Sequence, residues 1–423
     1  MKRILFVSYA FPPELVPESV LVTRTLGALV EHGWAVTVLT VGGKVEGLTD
    51  EGLAREISEA VEVIRVPSRE RYVRVLGELP MRLHRIPFRA LSILGWPEEQ
   101  YLWVAPAVRE GIRLMEERRF DVLYSRACFH TSNVVGYELR KAIGIPWIAH
   151  FSDPWVDNPI LPTTGLRRRV CERLERAILE EADAAVFTTR QAVDLVMKKY
   201  PQNWRHRIQV QPHGYVDQDT LPVPTQPRRV MQMIYAGNFY RGLRTPIPVF
   251  EALRLLKQKI PKLDDIRVTL VGPNVHEYVE AAYRLEVVEL VEFLGAVPFR
   301  KSQELAALAD VLLLIDAPSL EPSVFLPSKL VDYLALKKPI LGVTPTDGAS
   351  ADLLREIGEP IVDPGDIGGI AQAISDLRDR WRSSTLGVTP EFIQAARRYH
   401  IRNTTRELSD LLDQVIAQRR VFW

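Results

Sequence analysis

One loop in the second half of the chain combines glycines, a cation and a helix start in a way that suits an anionic ligand. The run Gly237-Asn238-Phe239-Tyr240-Arg241-Gly242 follows an apolar stretch at 231–236 and precedes a helical pattern. Glycine lets backbone approach a ligand closely, a helix start offers free N–H groups, and Arg241 adds a charge able to bind in bidentate fashion. The loop predicts a phosphate site at Gly237, Asn238 and Arg241. The alternative is a polar loop with a solvated arginine.

A second segment, at 327–335, places a cation and an acid on one helix. If Ser328 caps this helix, Lys329 lies in its first turn and Asp332 falls three residues later on the same face. Lys329 would neutralise a phosphate, and Asp332 would accept hydrogen bonds from a ribose diol. This pattern fits a sugar nucleotide, whereas the alternative is an ion pair on the protein surface.

The first half offers a base and an acid directly after an apolar run. His150 and Asp153 stand three residues apart in the segment 147–155. Together they could supply a base and its orienting group, or hold a sugar hydroxyl. The alternatives are a buried structural histidine and an aspartate that only forms the turn before Pro154.

Other chemistries lack their signatures. The chain has no Walker loop, HExxH, GxSxG or GxGxxG after its first strand, and no Asp-x-Asp pair directly after a predicted strand. Its two cysteines are far apart, which argues against a disulfide framework or a zinc site. A net charge of +1 argues against a nucleic-acid partner. We therefore expect the protein to need no metal ion and no cofactor in addition to the sugar nucleotide that the motifs suggest.

Two series of alternating strands and helices must position these residues. Apolar runs typical of buried parallel strands stand at 3–9, 35–40, 121–124, 145–149 and 184–187, and again at 231–236, 267–271, 291–294, 311–315 and 339–343. Helical patterns separate them, so the fold class predicted is α/β, with two Rossmann-like doubly wound lobes facing a cleft. Ligands of such sheets bind beyond the carboxyl ends of the strands, where the candidate residues stand.

Composition also suggests where the domains divide. The 423 residues allow roughly two to four domains, and the proline-rich stretch at 221–229 reads as a connector. We predict an amino-terminal domain at 1–225, a nucleotide-sugar-binding domain at 226–385, and a helical tail at 386–423 that packs back on the amino-terminal lobe.

These features resemble the family-four glycosyltransferases of the GT-B fold. The resemblance rests on Phe11-Pro12-Pro13-Glu14, the segment 121–154, the turn at 237–242 and the helix at 327–335, and it covers roughly residues 1–385. It implies metal-independent transfer of a sugar from a nucleotide diphosphate donor, with UDP-sugars favoured, to a hydroxyl acceptor. Family members usually retain the anomeric configuration. The nearest alternatives are a sugar-nucleotide epimerase of the same fold and a non-catalytic nucleotide-sugar-binding protein.

The resemblance also assigns roles to individual residues. It implies that Arg241 binds the diphosphate, that Asp332 is the second acid of a Glu-x7-Glu motif holding the ribose, and that His150 contacts the transferred sugar. The motifs and the resemblance together give His150 and Asp153 as the catalytic candidates. The donor-binding candidates are Gly237, Asn238, Arg241, Val297, Glu321, Lys329 and Asp332.

Three positions depart from the family pattern. Val324 stands where the first acid of the motif is expected, and Glu321 is the residue that could replace it. Asn238 stands where an arginine is usual. The segment 16–19 replaces the usual double glycine after the first strand.

One segment bears on the acceptor and on location. Between 69 and 89 the chain carries six arginines against two glutamates, interleaved with apolar residues. Such a surface can dock on anionic lipid and present the site to a lipid-linked acceptor, and the alternative is a helical insertion with a solvated basic face. With no apolar run long enough to span a bilayer and no signal-peptide pattern, we expect a cytoplasmic protein, at the inner membrane face if the segment docks. The assembly of bacterial polysaccharide or glycolipid would be its setting.

Overall fold

The apolar runs of the sequence become two parallel sheets, each inside its own compact unit of the chain. The computed structural model describes residues 1–43, 48–68, 95–218, 220–222, 228–239, 244–260, 262–318 and 322–420. One unit comprises Met1–Gly214 together with Ile401–Trp423, and the other comprises Tyr215–His400. The segment 69–89, with its predicted membrane contact, lies outside the described residues.

The first unit is built on a seven-stranded sheet of order β3-β2-β1-β4-β5-β6-β7, with every neighbouring pair parallel. Its strands are β1 Lys2–Ser8, β2 Trp34–Gly42, β3 Glu62–Pro67, β4 Val122–Ala127, β5 Trp147–Phe151, β6 Ala184–Phe187 and β7 Ile208–Val210. Its α-helices are α1 Pro17–Glu31, α2 Glu51–Arg55, α3 Val104–Glu117, α4 Thr131–Ile143, α5 Gly165–Glu181, α6 Arg190–Met197 and, from the end of the chain, α14 Ile401–Arg420. Strand order reverses direction at β1 and β4, as in other doubly wound sheets.

The second unit repeats the architecture with six parallel strands in the order β10-β9-β8-β11-β12-β13. Its strands are β8 Met231–Ala236, β9 Ile266–Val271, β10 Val291–Gly295, β11 Val311–Ile315, β12 Ile340–Val343 and β13 Ile361–Val362. Its α-helices are α7 Ile247–Lys259, α8 Val279–Arg284, α9 Phe299–Leu308, α10 Ser328–Leu336, α11 Ala349–Glu356, α12 Ile367–Arg382 and α13 Pro390–Ala396. The predicted class of two doubly wound Rossmann-like lobes is confirmed.

Burial explains why the central strands could be predicted from the sequence. All five residues of β11 are buried, and so are the last five of β1, because helices cover both faces of each sheet. Helix α1 begins with Pro17, whose fixed φ suits a first helical position. No helix among the described residues is long and apolar enough to cross a bilayer.

The unit boundaries differ from the sequence-based domain boundaries. The first unit ends at Gly214 rather than 225, and residues 386–400 remain with the second unit rather than with the tail. The reason is packing: Phe392 and Ala396 of α13 belong to an apolar cluster of the second unit. Only the last helix, α14, packs on the first unit.

Helix α14 completes the core of the first unit. Its residues Leu408, Leu412 and Val415 share an apolar cluster with Val22 and Leu26 of α1. Polar contacts add to this packing, since Trp34 donates its indole N–H to Ser409 Oγ at 2.9 Å. The carboxyl-terminal helix is therefore a structural part of the amino-terminal sheet.

Replacing Val415 with alanine tests this packing. Val415 is 2% exposed, and removing two buried methyl groups should lower the free energy of unfolding by about 1.5–2.5 kcal/mol. Urea denaturation followed by tryptophan fluorescence measures the change. Gln414→Ala, on the exposed face of the same helix, is the matched control and should change stability by less than about 0.5 kcal/mol. Equal effects of the two variants would contradict a core position for α14.

Candidate functional site

The carboxyl edge of the second sheet carries a lysine at the start of α10. Lys329 lies in the first turn of this helix, and Pro327 occupies the N-cap position without a side-chain hydrogen bond. Ser328 is therefore the first helical residue, and the prediction that it caps α10 is wrong. Tyr333 fixes the helix to the sheet, because its hydroxyl accepts from the Ala236 N–H and donates to the Leu313 carbonyl. A lysine side chain and a helix start without a side-chain cap thus meet at one edge.

Lys329 is held against the loop that follows β8. Its Nζ donates to the Tyr235 hydroxyl at 2.8 Å and lies 4.0 Å from the centroid of the same ring. Gly237 is next to it, with φ +153°, and a Cβ atom at that position would overlap with Lys329 Nζ. Only glycine permits this approach. The structure therefore brings together Gly237 and Lys329, two of the predicted donor-binding residues.

The surroundings of Lys329 favour its neutral form. Burial of the ammonium, assisted by the nearby Arg244 guanidinium, lowers the pKa of Lys329 well below its usual value, and the Asp316 carboxylate opposes this. Within the described ranges, no carboxylate forms an ion pair with Lys329 Nζ. The site therefore has the capacity to gain positive charge when an anion arrives.

Arg244 is the cation that sequence reasoning did not single out. It lies just before α7, and its Nη2 donates to Asp316 Oδ1 at 2.8 Å, with side chains only 13% and 7% exposed. Asp316 directly follows β11, so the pair joins two neighbouring strand ends. The sequence could have indicated Arg244 as a cation next to a helix start after β8. Arg241, three residues earlier, has the same features and was chosen instead.

Three of the other predicted donor-binding residues lie within the described part of the second unit. Asn238 is exposed, and its carbonyl accepts from the Tyr235 hydroxyl at 2.9 Å. Val297 is half-buried and packs against an apolar cluster, and Asp332 is half-buried one turn beyond Lys329. Arg241 and Glu321 lie outside the described residues, so the meeting of Arg241 with Lys329 and Asp332 stays a prediction.

The first sheet has a buried ion pair at its carboxyl edge. Arg126, at the end of β4, donates Nε to Glu18 Oε1 at 2.6 Å, and the two side chains are 5% and 7% exposed. Ser152 Oγ donates to the same Glu18 oxygen at 3.0 Å, and Arg126 Nη1 donates to Thr25 Oγ1 at 3.1 Å. Glu18 belongs to the segment 16–19, where the resembling family has two glycines. The segment thus supplies a carboxylate to a buried pair with Arg126.

His150 is a buried member of β5. It is 2% exposed, and its Nδ1 is hydrogen-bonded to the Tyr124 hydroxyl, while its Nε2 has no partner among the described residues. Burial, together with Arg126 and His213, lowers the pKa of His150 well below its usual value, so the ring is neutral. Its contact with a transferred sugar stays a prediction.

Asp153 is half-buried just beyond the end of β5. Burial, and to a smaller extent the charge of Glu18, raises the pKa of Asp153 to about 6. A carboxyl group that titrates near neutrality is suited to accept or return a proton during catalysis. Of the two predicted catalytic residues, Asp153 has the more suitable acid–base character. Across the part of the chain that the structure describes, no three His, Cys, Asp or Glu side chains are grouped to hold a metal ion.

Two family models match the sequence, one in each unit. Glycosyl transferase 4-like domain matches residues 19–214, and Glycosyl transferases group 1 matches residues 232–380. No curated protein matches this chain.

Solved structures of low sequence identity share the whole fold. Sucrose-phosphate synthase from Thermosynechococcus elongatus is 15% identical, with a TM-score of 0.69 over 99% of this chain and 100% of that one. The trehalose-6-phosphate protein from E. coli bound with UDP-2-fluoro glucose is 16% identical, with a TM-score of 0.60 over 97% and 99%. A UDP-N-acetylglucosamine 2-epimerase is 14% identical, with a TM-score of 0.55 over 96% and 94%.

Proposed function

The chain belongs to the family-four-type glycosyltransferases of the GT-B fold, and we propose that it transfers a sugar from a nucleoside diphosphate sugar to a hydroxyl acceptor. The two matched domain models and the fold confirm the resemblance predicted from the sequence. The donor, the stereochemistry and the acceptor belong to the proposal.

One observation carries the proposed donor site: Lys329 lies against Gly237 at the uncapped start of α10, with Arg244 nearby. Transfer leaves a nucleoside diphosphate whose developing charge must be stabilised. Arg244, Lys329 once the arriving anion has favoured its charged form, and the backbone N–H groups of the helix start would supply that stabilisation without a metal ion. Activity that persists in excess EDTA is the expected result, and loss that added Mg²⁺ restores would contradict metal independence.

We favour a UDP-sugar as donor and retention at the anomeric carbon. The E. coli structural relative bound with UDP-2-fluoro glucose supports the choice of base. Retention follows from the family resemblance, and the anomeric configuration of the product, read by NMR, tests it. Val324 stands where the family pattern has its first acid, so we propose that the donor sugar loses one carboxylate contact there.

Binding and product analysis test the function in two stages. A thermal-shift panel of UDP, GDP, ADP and dTDP with their sugar conjugates should show the largest rise in Tm for one base, because a ligand stabilises the state that binds it. The preferred sugar conjugate is then incubated with hydroxyl acceptors, and products are separated. Transfer or slow donor hydrolysis supports a transferase, and binding without turnover supports a non-catalytic binding protein.

An epimerase is the second candidate, because one solved relative is a UDP-N-acetylglucosamine 2-epimerase. Product analysis distinguishes the two functions. An epimerase converts the sugar nucleotide to its isomer in the absence of any acceptor, whereas a transferase requires an acceptor for net transfer.

Asp153 is proposed to hold the acceptor hydroxyl through its carboxylate. With a pKa of about 6, kcat/KM should rise as pH increases through that value and level off above it, since the charged form accepts the hydrogen bond. Asp153→Asn should lower kcat/KM by about tenfold above this pH and remove the rise.

Asp157→Asn is the matched control for this profile. Burial raises the pKa of Asp157, but hydrogen bonds from Lys199 and Arg168 outweigh this effect and lower it. The control variant should therefore keep the rise through pH 6. A profile that stays the same in Asp153→Asn would rule out the proposed role.

The acceptor is proposed to be lipid-linked, on sequence grounds alone. The basic and apolar segment 69–89 supports it, through attraction to anionic headgroups. Co-flotation with vesicles containing an anionic lipid, but not with neutral vesicles, is the expected result. Equal recovery with both vesicle types would remove the support.

A further inference from the structure

The carboxylate at the end of β11 has a role beyond neutralising charge. We propose that Asp316 is a positioning residue, which holds the Arg244 guanidinium in the orientation that binds the diphosphate of the donor. The inference rests on the proposed function, and it identifies a residue that does not itself touch the ligand. It also predicts that Arg244 acts as a diphosphate-binding cation.

Asp316 is itself held rigidly. It is 6% exposed, its backbone N–H donates to the Val343 carbonyl at 2.9 Å, and its Oδ2 accepts from Ser350 Oγ at 2.9 Å and Thr344 Oγ1 at 3.2 Å. One carboxylate oxygen is thus fixed by the residue that follows β12 and by α11. The other oxygen, Oδ1, is directed to Arg244. A carboxylate fixed on one side is a suitable anchor for a long and flexible partner.

Arg244 needs such an anchor. A free arginine side chain loses conformational entropy when it binds a ligand, and an arginine already held in place loses less. A bidentate phosphate contact requires two of the five guanidinium N–H groups in a fixed orientation. The Tyr235 hydroxyl, which accepts from Lys329 Nζ at 2.8 Å, is also hydrogen-bonded to the Arg244 side chain. The geometry therefore places an anchored cation beside the lysine of the donor site.

The same unit contains a similar acid at the other edge of its sheet. Asp265 precedes β9 and is 6% exposed, and it accepts from Arg378 Nε at 2.7 Å and Arg382 Nε at 2.6 Å. It lies at the amino end of a parallel strand, whereas the candidate site lies at the carboxyl ends. Removing the Asp265 carboxylate therefore reports the purely structural cost of breaking a buried Asp–Arg pair.

Calorimetric titration tests the inference with three probes: UDP, uridine and inorganic pyrophosphate. Asp316→Ala should weaken the binding of UDP and pyrophosphate by roughly tenfold to hundredfold and leave the affinity for uridine unchanged. Asp316→Asn keeps the shape and an acceptor oxygen, so a smaller loss is expected. Asp265→Ala should leave all three affinities as in the wild type.

A double-variant cycle separates positioning from a structural effect. If Asp316 acts through Arg244, Asp316→Ala should cause no further loss of pyrophosphate affinity in an Arg244→Ala background. Unchanged or tighter pyrophosphate binding by Asp316→Ala, equal losses for uridine and UDP, or additive losses in the cycle would each overturn the inference. If Asp316→Ala does not fold, Asp316→Asn serves the same cycle.

The proposed function fails in a different way. Wild-type protein that binds none of the four nucleoside diphosphates nor pyrophosphate contradicts a donor site at this edge. If the wild-type protein binds these ligands and the Asp316 and Arg244 variants bind them with the same affinity, only the positioning role is contradicted.

Discussion

Replacing Lys329 with methionine is expected to lower kcat/KM for sugar transfer by roughly hundredfold to thousandfold, the effect of removing one preorganised charge-stabilising group. The Lys329 side-chain nitrogen lies against Gly237 at the start of α10, where a leaving diphosphate would gather charge. Methionine has a similar length and no charge, so the packing changes little. Steady-state kinetics with saturating acceptor measures the loss.

The lowered pKa of Lys329 adds a second observable to this variant. Burial lowers the pKa of Lys329 in the free protein, and a bound diphosphate favours the ammonium, so binding should take up a proton as pH rises above that lowered pKa. As pH rises above the pKa of the free lysine, affinity should fall by up to about tenfold per unit. Calorimetry in buffers of different ionisation enthalpy measures the uptake directly. Lys329→Met should abolish it, whereas Lys337→Met, exposed at the far end of the same helix, should not.

The same substitution should leave the unbound protein at least as stable as the wild type. A lysine whose folded pKa lies below its unfolded pKa binds more protons when unfolded, so its contribution makes stability rise with pH between the two values. Methionine removes this dependence and the cost of burying an amine. A variant that loses both stability and binding would show instead that Lys329 serves mainly to hold the fold.

Replacing Arg126 with methionine is expected to lower the free energy of unfolding of the first unit by about 3–5 kcal/mol. Arg126 and Glu18 are 4% and 6% exposed, so removing the guanidinium leaves a carboxylate in a place that water does not reach. Burial already raises the pKa of Glu18 despite the opposing charge of Arg126. Without the arginine, Glu18 should become protonated at still higher pH.

Urea denaturation followed by fluorescence measures this loss, since Trp147 and Trp155 are in the first unit. The double variant Glu18→Gln, Arg126→Met should recover part of the stability, because no unpaired charge remains. Arg113→Met is the matched control: its pair with Glu110 is exposed at the surface and should contribute no more than about 1 kcal/mol. Equal losses in single and double variants would contradict an uncompensated charge as the cause.

The interior of each sheet was predictable from sequence, but its margins were not. The runs at 231–236 and 311–315 coincide with β8 and β11, because strands buried on both faces are continuous apolar stretches. Strands β3, β7 and β13 were not predicted, and their residues are largely exposed or half-buried. An edge strand has one neighbouring strand and is partly exposed to solvent, so its sequence lacks the continuous apolar run by which buried strands are recognised.

Local motifs showed where the candidate site lies, but not how its side chains pair. Gly237 and Lys329 were both predicted from their positions after a strand and at a helix start. Asp316 and the pair Glu18–Arg126 were not, because each partner is far away in the sequence and only the fold brings them together. The same limit applies to His150, where no local pattern indicates that Tyr124 is its partner.

The return of α14 to the first unit has a consequence for biosynthesis. A ribosome delivers the contiguous second unit, Tyr215–His400, before the helix that the earlier unit needs. Until residues 401–420 emerge, the apolar stripe of α1 that includes Val22 and Leu26 lacks its cover. Nascent chains therefore expose this hydrophobic surface throughout synthesis of the second unit, and the amino-terminal sheet obtains its full cover only once residues 401–420 have emerged.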